Sequence, residues 1–294
     1  MTILDFIETM NGRTLAEIPG FRRAVARDVP DTYDRRFFEY RFHNPFFGYV
    51  EVQNDGCQPF YMLTNNDDAV AQQYLWYGRN GYGPASVREW VRCARTARVV
   101  FDVGAHTGLF SLLACGANPD LAEVVAFEPL PRAHARILEN LIVNGLVARV
   151  TAERAAVADS TGERTLHVPG DDYQIVLTAS YLSQGDAELM HRRERCDAVT
   201  LDDYIARTGL QPDLVKLRME GAEPDGLKGA TRLLASRRAT FLIESRAEHR
   251  RALLDRLAGY AVTLVDDAAN RTLRPGETGA DAARTILAVP MDAG

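Results

Sequence analysis

Val99-Val100-Phe101-Asp102-Val103-Gly104-Ala105-His106-Thr107-Gly108-Leu109-Phe110-Ser111-Leu112-Leu113-Ala114 is the stretch on which the fold turns. Its first five residues, entered through Arg98, form an apolar run of the length of a buried strand. Two glycines four positions apart come next. The apolar residues from Leu109 to Ala114 then read as a helix. Glycines let the backbone turn tightly and let a ligand approach it closely. A helix starting just behind them presents N–H groups without intrahelical partners, suited to a carboxylate or phosphate. The Gly-x-x-x-Gly spacing differs from the Gly-x-Gly-x-x-Gly of dinucleotide binders, which disfavours a nicotinamide oxidoreductase.

Strands and helices alternate outward from this unit. Val124-Val125-Ala126-Phe127 is the next strand, and Pro131 opens a helix that runs to about Asn144. A third strand is expected within 149–157, and Gly162 sits between two short strands, the second at Thr165–Val168. Residues 170–196 read as polar and irregular. Alternation resumes at Val199, with Asp202 and Asp203 at the start of a short helix, where carboxylates are favoured. Leu214–Leu217 and Thr240–Ile243 are strands around a helix at about 223–234. A last helix at about 247–258 and strands near 261–265 and 285–289 complete the pattern. Such alternation predicts an α/β, doubly wound, mostly parallel sheet covered by helices on both faces, here assigned to a domain over 96–294.

Residues 1–95 are assigned to an N-terminal accessory region. Leu4, Phe6, Ile7 and Met10 predict a short amphipathic helix, and Pro19-Gly20 is expected to interrupt the chain beyond it. Aromatic residues crowd 37–49 and recur at Tyr74, Trp76, Tyr77 and Tyr82. Two readings stay open: an accessory core packed on the main domain, or rings that wall a substrate pocket or a dimer contact.

The 294 residues carry a formal charge of −6, with 46% hydrophobic and 25% charged side chains. That balance gives no general pull toward nucleic acid or anionic membranes. Cys57, Cys93, Cys115 and Cys196 lack close metal-ligand spacing and read as free thiols of a reducing compartment. With no leader pattern and no apolar run long enough to cross a bilayer, the expectation is a cytoplasmic protein without a metal.

Two carboxylates narrow the ligand. Asp102 stands at the strand end before the first glycine, where it would repel a pyrophosphate and suit an ammonium group. Glu128 ends the next strand, 26 residues further on. An acidic residue there accepts hydrogen bonds from ribose hydroxyls. Asp102, Gly104, Gly108 and Glu128 together favour a nucleoside-type cofactor over simple helix capping. S-adenosylmethionine combines an ammonium, a carboxylate and a ribose.

With these residues in place, the chain resembles the FkbM-like methyltransferases, within the S-adenosylmethionine-dependent methyltransferases built on a seven-stranded, Rossmann-like sheet. The resemblance starts near Gly81-Tyr82-Gly83-Pro84 and is strong at Phe101–Gly108. It continues through Ala126-Phe127-Glu128-Pro129, Leu138-Glu139-Asn140-Leu141 with Asn144, and Ala155–Asp159. It resumes at Val199–Tyr204 and culminates at Val215–Glu223 and Leu227–Ala230, before Phe241-Leu242-Ile243-Glu244. It implies that Asp102, Gly104, His106, Thr107 and Gly108 hold the methionine part of the cofactor. Glu128 would hold the ribose, and Ala155 and Ala156 would border the adenine. Lys216, Glu220 and Glu223 would face cofactor and acceptor, and the reaction would be methylation of a hydroxyl on a sugar, polyketide or similar natural product.

One position departs from the family pattern Lys-Ile-Asp-Val-Glu-Gly: the chain reads Lys216-Leu217-Arg218-Met219-Glu220-Gly221. A guanidinium replaces a carboxylate and reverses the local field. Arg218 is therefore expected to bind an anionic group of a small-molecule acceptor, with Glu220 in reach to hold it, or else to mark an altered activity. Candidates for the base are Glu220, Glu223, Lys216, His106 and His249. An N-methyltransferase, or a non-catalytic protein that keeps the cofactor fold, are the alternatives, and a homo-oligomer is left open.

Overall fold

The structure is a computed structural model that describes residues 2–25, 35–169 and 190–291. It opens with helices α1 (Ile3–Val25) and α2 (Arg35–His43). A hairpin of β1 (Phe47–Val52) and β2 (Phe60–Asn65) comes next, then α3 (Ala69–Tyr77) and α4 (Pro84–Ala94). The main layer begins with β3 (Val99–Val103), α5 (Leu109–Ala117), β4 (Glu123–Phe127), α6 (Pro131–Val143) and β5 (Val150–Glu153). A small sheet of β6 (Ala156–Val157), β7 (Gly162–Pro169) and β8 (Met190–Val199) interrupts it. The layer resumes with α7 (Leu201–Thr208), β9 (Leu214–Leu217), α8 (Glu223–Lys228), α9 (Thr231–Ser236) and β10 (Thr240–Glu244). The chain ends with α10 (Arg250–Arg256), β11 (Tyr260–Asp266), β12 (Arg271–Leu273) and β13 (Thr285–Pro290).

The central sheet has the order β12-β11-β13-β10-β9-β3-β4-β5. From β10 to β5 every pairing is parallel; β13 pairs antiparallel with both β10 and β11. The chain runs from β3 outward to β4 and β5, then returns to β9 on the other side. The carboxyl ends of β3 and β9 therefore flank a topological switch point, where open α/β sheets bind ligands.

Alternation along the strands sorts side chains onto two faces. Val100, Val124, Ala126, Leu214 and Leu242 pack against α4, α5 and α6. Phe101, Val103, Val125, Phe127, Val215 and Ile243 pack against the helices after β8. The first of these cores runs on into the N-terminal region through Trp90, Trp76, Phe37 and Phe21, all fully buried. Trp90 Nε1 donates to the Phe110 carbonyl at 2.9 Å, joining α4 to α5. Most aromatic side chains before Arg98 thus fill a core: Phe21 meets Tyr40, Trp76 and Tyr77 edge-on.

Several elements differ from the sequence reading. Among the described residues the seven strands of the sheet gain an eighth at the edge, because the turn after β11 folds back as the three-residue β12. Helix α1 continues through Pro19 to Val25. An internal proline costs about 3 kcal/mol; burial of Ile18 and Phe21 on either side of it opposes that cost. The helix expected over 223–234 breaks at Gly229-Ala230. A side chain on Gly229 would overlap the Ala158 carbonyl, so two backbones meet there. Residues 190–196, read as irregular, belong to β8 and pair with β7. The rest of the irregular stretch, 170–189, lies outside the described residues. Among the described residues no helix is long and apolar enough to cross a membrane, and none of the four cysteines is in a disulfide.

Candidate active site

A cavity open to solvent lies over the carboxyl ends of β3, β4 and β9. Its floor is the glycine loop. The N–H groups of Gly104 and Ala105 donate to the Phe127 carbonyl at 3.0 and 2.9 Å, bending the chain sharply off β3. Gly104, His106 and Gly108 have φ of 70°, 56° and 91°. Gly104 has a further constraint, since a Cβ there would run into the Arg218 carbonyl. His106 is strained, because a side chain costs energy in the left-handed region. Its backbone N–H donates to Glu128 Oε2 at 2.8 Å.

Glu128 is buried at the cavity edge, and its other oxygen accepts from the Leu130 N–H at 2.9 Å. Burial pushes this carboxyl up to about 7, against the lowering effect of those two N–H donors and of Lys216. Ala155, Ala156, Val157 and Leu166 give the adjoining wall an apolar surface.

Beneath the loop, Lys216 reaches sideways from β9. Its Nζ is 3.0 Å from Asp102 Oδ1, 2.7 Å from the Gly104 carbonyl and 5.0 Å from the centre of the Phe110 ring. Ser111 donates to the second Asp102 oxygen at 2.8 Å. Both oxygens of the Asp102 carboxylate are therefore partnered, and the side chain is fully buried.

The turn after β9 builds a further wall, against the loop at Gly104. Arg218 Nη1 donates to the Tyr82 hydroxyl, and its Nε lies 3.0 Å from Glu244 Oε2, at the end of β10. Glu220 has φ 54° and accepts from Arg246 at 3.2 Å. Burial, then the nearby Glu244, pushes its carboxyl up to about 7, although Arg218 and Arg246 pull the other way. Glu223 points back into the turn, accepting from the N–H groups of Met219 and Gly221 at 2.6 and 3.0 Å.

Of the twelve site residues expected from the sequence, Gly104, His106, Glu128, Ala155, Ala156, Lys216, Arg218 and Glu220 line the cavity. Asp102, Thr107, Gly108 and Glu223 stand behind its wall. Asp102 is spent on Lys216 and Ser111, and Gly108 caps α5. Thr107 is buried, with its carbonyl on Asn140. Glu223 shapes the turn that carries Glu220. Glu220 pairs with Arg246, and Arg218 with Glu244, so the expected Arg218–Glu220 contact is replaced by two crossed pairs. His249 packs with Arg246 over Gly221 and does not line the cavity. Sequence reasoning did not single out Glu244 as a site residue, although a carboxylate ending a strand, as Glu128 does, was the available signal. Met219 and Val70 also line the cavity and gave no signal beyond hydrophobicity. Among the described residues no cluster of three or more His, Cys, Asp or Glu is placed to hold a metal ion.

A glycine loop under β3, an acidic residue ending β4 and a cavity across the switch point define an α/β nucleoside-cofactor domain. Residues 102–262 match the methyltransferase FkbM domain. The match takes in more than half of the chain, which belongs to that family; S-adenosylmethionine is its cofactor. The chain is 28% identical over 178 residues to the 2-O-methyltransferase NoeI of Sinorhizobium fredii, covering 55% of this chain and 72% of that protein. It is 33% identical over 160 residues to the AMB antimetabolite synthetase AmbE of Pseudomonas aeruginosa, covering 45% of this chain but only 8% of that protein. It is 39% identical over 72 residues to the 31-O-demethyl-FK506 methyltransferase FkbM of Streptomyces tacrolimicus, 24% of this chain and 26% of that protein. Among solved structures, methyltransferase FkbM of Methylobacillus flagellatus aligns with a TM-score of 0.44 at 17% identity, covering 65% of this chain and 43% of that one.

Proposed function

We propose that this protein methylates a hydroxyl oxygen of a small molecule, with S-adenosylmethionine as donor and Glu220 as the base. When bound, that cofactor supplies an electrophilic methyl group on a sulfonium. The chain's residues fit it. The Glu128 carboxylate, held by two N–H groups, keeps lone pairs for the ribose hydroxyls. The glycine loop leaves room for the methionine part beside Gly104, and the alanines and Leu166 offer an apolar slot for the adenine. Asp102 acts one step removed, by fixing Lys216 under the loop.

The observation that carries the reading is the position of Glu220. Glu220 lines the same cavity as Glu128, on a turn clamped by Glu223, and burial pushes its carboxyl up to about 7. A base whose affinity for protons matches the working pH is suited to take the hydroxyl proton as the oxygen is methylated. Lys216 is a weaker candidate, since its ammonium is committed to Asp102 and Gly104. Alignment of the acceptor supplies the remainder of the rate.

Arg218 belongs to the acceptor side of this reading. Its charge is matched by Glu244 as that of Glu220 is by Arg246, so the wall is close to neutral. That balance favours a polar, uncharged acceptor over the anionic one expected from the sequence. The deciding experiment is incubation of the protein with isotopically labelled S-adenosylmethionine and small-molecule extracts, followed by mass spectrometry. A labelled methyl ether supports the reading, and a methyl ester, formed on a carboxylate, does not. A label on nitrogen, or none above a Glu128→Ala control, overturns it.

A further inference from the structure

We infer that Asn140 is a positioning residue for the cofactor loop, and that through it the N-terminal hairpin helps to hold that loop in its binding shape. The inference rests on the cofactor assignment above. Asn140 projects from α6 and is fully buried. Its Nδ2 donates to the Thr107 carbonyl at 2.9 Å, and its Oδ1 accepts from the Leu63 N–H on β2 at 2.8 Å. One carboxamide thus joins the loop that faces the cavity to a strand of the accessory region, 77 residues away from it in sequence.

The loop needs such a hold. His106 and Gly108, on either side of Thr107, are both left-handed, and His106 is not a glycine. Conformations of this kind persist only where the surroundings over-determine them. Glu128 fixes the His106 N–H from the cavity side. Asn140 fixes the Thr107–Gly108 peptide. Without it, the Thr107 carbonyl loses its buried donor.

The other end of the bridge is equally fixed. The Leu63 carbonyl accepts from Arg136 Nη1 at 2.8 Å, and the same guanidinium binds Asp67 through two bonds of 3.1 and 3.0 Å. Both polar groups of the Leu63 backbone are therefore held by α6. Displacing β2 would leave Asn140 Oδ1 without its donor and take the Leu63 carbonyl from Arg136 in a buried place, which is costly.

Asn144, one helical turn on, separates loop positioning from hairpin docking. It also grips β2, accepting from the Tyr61 N–H at 2.8 Å and donating to the Tyr61 carbonyl at 2.7 Å. Its Nδ2 also donates to the Asn140 carbonyl at 2.7 Å, but among the described residues no hydrogen bond joins its side chain to the loop. Asn144→Ala should therefore weaken hairpin docking while leaving the Asn140–Thr107 bond in place.

The test is calorimetric binding of S-adenosylhomocysteine to the full chain, well below the unfolding temperature of each variant, beside a urea melt. Asn140→Ala is expected to weaken binding about tenfold, the loss of one buried hydrogen bond that orders the site. Asn140→Asp keeps an acceptor for Leu63 but sets an oxygen against the Thr107 carbonyl, and should weaken binding at least as much. Asn144→Ala should lower stability yet leave the dissociation constant within about twofold of wild type. Wild-type affinity in both Asn140 variants, or equal weakening by Asn144→Ala, would overturn the inference. Absence of binding to the wild type would instead overturn the cofactor assignment.

Discussion

Lys216 and Asp102 are register partners on neighbouring parallel strands, and they form a buried ion pair of 3.0 Å directly beneath the glycine loop. The same ammonium holds the Gly104 carbonyl. The pair therefore ties the ends of β3 and β9 together at the switch point, and sets the height of the loop above the sheet. Neither side chain is more than 5% exposed, so neither is solvated on its own.

Lys216→Met is accordingly expected to cost about 3–5 kcal/mol of stability, because it strands a buried carboxylate. Asp102→Asn combined with Lys216→Met should recover part of that loss, since no unpaired charge remains. Urea unfolding of the two single variants and the double variant gives the coupling. Additive losses would show that the pair acts as two independent groups.

Glu220 predicts a pH profile. A carboxyl raised to about 7 by burial and by Glu244 is protonated below that pH and cannot take a proton. Methyl transfer to an unactivated hydroxyl should therefore rise as pH passes through about 7, and level off above it. Glu220→Gln should lower kcat by about 10²–10⁴-fold and flatten the rise. The stability effect has the opposite sign. The folded state disfavours the charged form, so Glu220 costs stability as pH climbs from the ordinary carboxylate range past 7. Glu220→Gln should therefore gain on wild type in urea melts at pH 8 relative to pH 5. An unchanged rate profile in the variant would remove Glu220 as the base.

Glu128 is tested by cofactor binding. Glu128→Ala should weaken S-adenosylhomocysteine binding about tenfold to a hundredfold, equivalent to about 1.5–3 kcal/mol of charge-assisted hydrogen bonding. Glu128→Gln should also weaken it. Its amide NH₂ must face one of the N–H groups of His106 and Leu130 that now donate to the carboxylate. Calorimetry that finds either variant equal to wild type would remove Glu128 from the ribose site.

The contrast between Glu128 and Asp102 explains what the sequence could convey. Both are acidic residues at the ends of adjacent strands, and strand periodicity placed both correctly. Only the structure separates a carboxylate open to the cavity from one consumed by Lys216 and Ser111. The strand ladder was legible because buried β-branched runs have a length and a period. The breaks at Gly229 and the continuity of α1 through Pro19 were not, because each depends on what packs against it. The same holds for Arg218. Its partner Glu244 lies 26 residues away on the next strand, and no local spacing announces a pair made across a sheet. The accessory region conveyed its aromatic content and a first helix, but not how α1, α2 and α3 extend the core of the main sheet, since such packing has no motif.

Tyr82 is the aromatic residue of that region that lines the cavity among the described residues, and its role can be isolated. Its hydroxyl accepts from Arg218, so its own proton is left to donate. Burial pushes the phenol up to about 12, even with the Arg218 charge beside it, so the proton stays in place at working pH. A phenol so held can donate to an oxygen of the acceptor next to the methylated hydroxyl. Tyr82→Phe keeps the ring and removes only that donor. With the acceptor found by labelled transfer, the variant should raise KM about tenfold, while the affinity for S-adenosylhomocysteine stays unchanged. Arg218→Lys should behave similarly, because a single ammonium cannot span Tyr82 and Glu244 as the planar guanidinium does. If instead both variants lose cofactor affinity in step with acceptor use, the Tyr82–Arg218 contact props the cavity as a whole. If Tyr82→Phe is kinetically silent, the phenol serves only the packing of α4 against the sheet, and acceptor recognition lies elsewhere in the wall.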